Sequence, residues 1–156
     1  MTDVIRIQPH HFVDILTYYG AGQATFAPHP YGHAQHSVAA QIHADHKVWL
    51  EIELGADDIC TPCEHNLDGE CDDVLDTRHR PQAPPLKREW NLLIDLRWCE
   101  RLDLNQGDRL TARALAQRLQ ARAGDITDIY REMPAGGTAE RSRKLNSGLE
   151  NYLRGS

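Results

Sequence analysis

Long apolar runs are missing from this 156-residue chain, and aromatic residues make up only 6% of it. Stretches such as Val48-Trp49-Leu50 and Leu92-Leu93-Ile94 fall far short of the roughly 20 apolar residues of a membrane-spanning helix. The sparse aromatics and the lack of a dense Lys/Arg cluster argue against a nucleic-acid ligand, which needs stacking platforms and a basic track. No Walker phosphate loop, Gly-rich dinucleotide fingerprint or Gly-x-Ser-x-Gly elbow occurs, which disfavours nucleotide-driven and serine-hydrolase chemistry. The start of the chain does not read basic-then-apolar like a secretion signal, so the expected compartment is the cytoplasm.

The remaining composition, 40% hydrophobic and 26% charged, is that of an ordinary globular protein, expected as one domain over residues 1–156. Its two parts differ sharply. Residues 1–77 hold two basic side chains, Arg6 and Lys47, against 13 acidic ones, a balance of −11. The rest holds 15 basic against 10 acidic, a balance of +5, with 12 of the basic residues in an Arg-rich stretch over 86–153. Eight of nine histidines and three of four cysteines also fall in the first part. Because the basic residues alternate with acids, self-neutralisation within one fold is the favoured reading over a basic partner surface.

The patterning predicts an α+β fold: short strands and a Cys-rich loop segment, followed by a mostly helical C-terminal half. Val4–Ile7 and Val48–Leu54 alternate as strands. Pro9 and Gly20 bracket a helix whose Phe12, Ile15, Leu16 and Tyr19 share a buried face, with His10, His11, Asp14 and Tyr18 on the adjoining arc. Further helices are expected over 33–46, 87–102 and 111–122, the last capped by Thr111, with weaker ones over 125–133 and 138–153. Asp68-Gly69 signals a tight turn.

The densest chemistry lies in CTPCEHNLDGEC, which spaces Cys60-x2-Cys63-x7-Cys71. A Cys-x-x-Cys turn lets two thiolates bind one centre, and the Asp68-Gly69 turn would fold the third back to it. Candidates for a fourth ligand are Asp14, His10, His11, His65 and Cys99, although Cys99, beside Trp98 on a helix, reads better as a buried thiol. A thioredoxin-like role is disfavoured, since the motif runs into a turn where that role needs a helix. Both zinc and an iron–sulfur cluster accept this spacing.

Arg6, Pro9-His10-His11, the Gly20-x-Gly22 turn, Gly55-x-Asp57-Asp58-Ile59-Cys60, Cys63 and Cys71 together resemble the domain-of-unknown-function family 1284, over about Ile5 to Gly107. Members of that bacterial and archaeal family have been suggested to bind iron–sulfur clusters. The cysteine usual there, three residues after the His-His pair, is replaced by Asp14, and the Cys-rich tail of longer relatives does not occur here. The resemblance implies an iron–sulfur cluster on Cys60, Cys63 and Cys71 with Asp14 or a first-helix histidine completing it. An Asp ligand would leave one iron exchangeable, and a redox role would bring a protein or small-molecule redox partner. It implies no particular reaction.

Two alternatives stay open: a zinc knuckle serving as a structural or interaction module, and a mononuclear non-haem iron or zinc enzyme using His10 or His11 with Asp14. Neighbouring residues on a helix diverge by roughly 100°, so His10 and His11 are expected not to share one ion. His29, His33, His36, His43 and His46 read first as a solvated face.

Overall fold

The computed structural model describes residues 4–155. The first strand, β1 (Val4–Ile7), feeds directly into α1 (Pro9–Gly20), with Pro9 in the first turn, where its missing N–H costs nothing. After a long loop come α2 (Gln35–Ala44) and β2 (Trp49–Ile52), which returns parallel to β1 with Ile5 opposite Leu50 and Ile7 opposite Ile52. These residues alternate with exposed or half-exposed Arg6 and Glu51, so one face of the sheet is apolar, as period-two patterning requires.

The Cys-rich segment contains a two-residue hairpin, β3 (Asn66–Leu67) and β4 (Glu70–Cys71). Asp68 and Gly69 at its tip both have positive φ, 53° and 88°, the backbone of a primed turn. A connector then leads to α3 (Lys87–Leu102), to β5 (Arg109–Thr111), antiparallel to β2, and to α4 (Ala112–Arg122). Thr111 caps α4 by accepting from the Ala114 N–H at 3.1 Å. The chain closes with α5 (Ala135–Arg154), so the fold is α+β with the cysteine loop between its sheet and its later helices.

Two expected helices change extent. Residues 125–133 form a single 3-10 turn, Ile126–Asp128. The carbonyls that a longer helix would need are taken from outside: Arg101 donates to Ala123 and to Asp125, and Arg97 to Ile129 at 2.9 Å. The stretch over 33–46 contracts to α2, leaving His33 and His46 beyond its ends.

One hydrophobic cluster joins the sheet to all five helices, with Trp98, Tyr152, Phe12 and Ile15 fully enclosed. The tightest crossing in it lies between α1 and α5. A Cβ on Gly20 would lie 1.7 Å from the Lys144 carbonyl oxygen, and one on Gly148 would lie 1.8 Å from that of Leu16. Gly20, expected as a helix stop, is therefore also a point of backbone contact between helices. The first turn of α1 meets the middle of α3, where His10 contacts Asp95.

Candidate metal centre

The loop Gly55–Cys60 is moored to the β1–α1 junction by a buried carboxylate. Asp57 is fully enclosed; one of its oxygens accepts from the Gln8 N–H at 2.6 Å and the other from the N–H groups of Ile59 and Cys60, both at 3.1 Å. The same carboxylate meets His11 Nδ1 at 2.7 Å. Burial works against its charge, but His11 and the N–H donors prevail and lower its pKa to about 2. Cys60 follows in the next turn. Burial first, and then the Asp57 charge, push its thiol well above the ordinary range, so without a cation nearby it holds its proton.

His11, Asp57 and Cys60 each bring a ligand-capable atom within 4.8 Å of the others, so this group can hold a metal ion. Within it, Asp57 differs from its partners. His11 and Cys60 line a cavity of about 650 Å³, whereas Asp57 does not, and its oxygens are already hydrogen-bonded. A carboxylate behind an imidazole fixes the tautomer and leaves Nε2 as the ligand nitrogen.

His10 repeats the arrangement. Its Nδ1 lies 2.9 Å from both oxygens of Asp95, which is fully buried on α3, and its backbone N–H donates to the same carboxylate at 2.8 Å. Burial opposes protonation of His10, but the contact with Asp95 outweighs it and raises the pKa. His10 also borders the cavity. The two rings lie 4.3 Å apart between centroids, yet of the two only His11 joins Asp57 and Cys60 in the ligand-capable group. Carboxylates on opposite sides, Asp57 in the loop and Asp95 on α3, draw both rings to one wall.

Cys63 and Cys71 line the same cavity as Cys60. The Cys63 N–H donates to the Cys60 carbonyl at 2.9 Å in a tight turn, and the hairpin sets Cys71 opposite Asn66. All three thiols are free and half-buried. Asp14 also borders the cavity, but its carboxylate is in a 2.8 Å ion pair with Arg141 of α5. Cys99 is buried and not among the lining residues.

Several lining residues escaped the sequence reading. His33, stacked on His29 at 4.3 Å, and Tyr31, edge-on to His65 at 4.4 Å, close the rim, so part of the presumed solvated face belongs to the cavity. Asp95 had left one trace, an acid on the helical stripe otherwise formed by Trp90, Ile94, Trp98 and Cys99. Comparison of the chain with models of protein families, with curated proteins and with solved structures returns no match.

Proposed function

We propose that the chain is a metalloprotein carrying an iron–sulfur cluster on Cys60, Cys63 and Cys71, with His11 as the ligand from α1. The observation that carries this reading is the single cavity lined by three thiols and by an imidazole whose far nitrogen is held by a buried carboxylate. Histidine is an accepted substitute for cysteine at such clusters. His11 is preferred to Asp14 because Asp14 would first have to give up Arg141. A cluster here would face an open cavity and supply one-electron or Lewis-acid chemistry, in electron transfer, redox sensing or catalysis. The resemblance to family 1284 points the same way, through the residues from Gly55 to Cys71.

A single zinc or iron ion is the second reading, favoured by the compactness of the His11, Asp57 and Cys60 group. It would require Asp57 to share oxygens that now anchor the loop.

The test is iron and acid-labile sulfide content, with an absorption spectrum, on protein purified without oxygen. Iron with sulfide, lost from each of Cys60→Ala, Cys63→Ala and Cys71→Ala and reduced in His11→Ala, is the expected result. Full metal content in every cysteine variant would refute the assignment. Colourless protein with about one zinc per chain would support the single-ion reading, and unfolding on chelation would then mark the metal as structural.

A further inference from the structure

Four cations also line the cavity. Three of these are matched by acids on its wall: Arg141 by Asp14 at 2.8 Å, Lys87 by Asp73 at 3.4 Å and Arg88 by Glu70 at 3.9 Å. Arg80 is the exception. It is half-buried, and its guanidinium lies over the Trp90 ring, 5.5 Å from the centroid. Its Nε donates to the backbone carbonyl of Asp76 at 3.0 Å, and one terminal nitrogen points at the Met133 sulfur at 3.2 Å. The Asp76 carboxylate is itself bound by Arg78 at 2.7 Å. Among the described residues no carboxylate forms an ion pair with Arg80, and Glu89, the remaining acid on that wall, is exposed.

A guanidinium keeps its charge at any physiological pH, so partial burial without a counter-ion is costly unless an anion completes the site. Burial disfavours the charge of Arg80; the nearby Asp76 charge offsets part of this, and that of Arg141 adds to it. No side chain caps the first turn of α3, and Lys87 to Trp90 border the cavity, so the helix dipole adds positive potential there. Trp90 lies under the Arg80 guanidinium, Met133 meets one of its nitrogens and Tyr130 lies under Arg141, so these cations sit against apolar side chains of the cavity lining.

We propose that Arg80, backed by Arg141, binds the oxyanion group of a small organic ligand whose flat or apolar body lies along Trp90, Tyr130 and Met133. The ligand would extend toward the thiol and imidazole wall. The planar fork of arginine suits both carboxylate and phosphate oxygens. The proposal does not depend on which metal the thiols hold.

The test is calorimetric titration of the full-length protein, as purified, with benzoate, inorganic phosphate and neutral benzamide at low ionic strength. Binding of benzoate or phosphate, but not of benzamide, is expected, with affinity at least about tenfold weaker in Arg80→Gln. Arg109→Gln, whose side chain pairs with Glu51 away from the cavity, should bind like the wild type. Tighter binding of benzoate would mark a carboxylate ligand, and tighter binding of phosphate a phosphate ester. Metal content measured on the same samples separates this proposal from the metal assignment. Absence of binding by both anions, or equal loss in Arg80→Gln and Arg109→Gln, would overturn it. Should Arg80→Gln fail to fold, wild-type affinity in both Arg80→Lys and Arg141→Gln would do the same.

Discussion

Asp57 and His11 show how much a single buried carboxylate can organise. Asp57 bonds to Gln8 at the β1–α1 junction, to the turn that carries Cys60 and to the His11 ring, so it sets both the position of a thiol and the tautomer of an imidazole. Asp57→Asn keeps the shape but loses the charge behind the His11 ring, and should weaken metal binding about 10- to 100-fold, read by competition with a chromogenic chelator. Cys99 behaves in the opposite way. Burial, with Asp95 nearby, pushes its thiol up to about 11, and it lies outside the cavity. Cys99→Ala should therefore retain full metal content, and in folded metal-free protein Cys99 and Cys60 should resist iodoacetamide more than Cys63 and Cys71, as mapped by mass spectrometry.

Among the elements, the α1–α5 pair decides where the first helix points. Its two glycines allow backbone-to-backbone contact, and neither has room for a methyl group. Gly148→Ala should cost about 3 kcal/mol in chemical denaturation, because the obstructing atoms are backbone carbonyls that cannot swing away. Gly137→Ala, on the same helix with nothing within 4 Å of the new Cβ, should instead be neutral or stabilising by up to about 1 kcal/mol. An equal cost at both positions would mean that helix propensity, and not the crossing, sets stability here. Displacement of α1 would also carry His10 and His11 away from Cys60, so Gly148→Ala should lower metal occupancy from a distance.

At the scale of the molecule, the acidic and basic halves neutralise each other across the fold: Asp14 with Arg141, Glu51 with Arg109, Asp73 with Lys87. Stability should depend on pH mainly through histidines. His43 and His46 pack around Tyr152, His46 stacked at 3.7 Å, and each has a buried ring nitrogen without a partner among the described residues. Burial lowers both pKa values, aided at His43 by His46 and at His46 by Arg113. The unfolded chain takes up these protons from about pH 6.5 downward while the folded chain resists them, so stability is lost as pH falls through the folded-state values. His10 has the opposite sign. Its raised pKa gives stability that is fully present below about pH 6.5 and is lost as pH rises through the folded value. A His43→Gln/His46→Gln variant should consequently lose less stability between pH 7 and pH 5 than the wild type, measured by denaturant midpoint at each pH. An unchanged slope would assign the pH dependence elsewhere.

The sequence by itself determined the local elements and the spacing of the three thiols. Helical spacing marked α1 and α3, Thr111 announced its own cap, and Asp68-Gly69 specified the hairpin that returns Cys71, because each of these signals acts within a few residues. Tertiary structure alone decided what surrounds the cysteines. Asp95 reaches His10 across 85 positions, Arg141 reaches Asp14 across 127, and Arg80 meets Met133 across 53. No periodicity encodes such distances. They arise only where packed elements meet, α1 against α3 at His10 and α1 against α5 at Asp14.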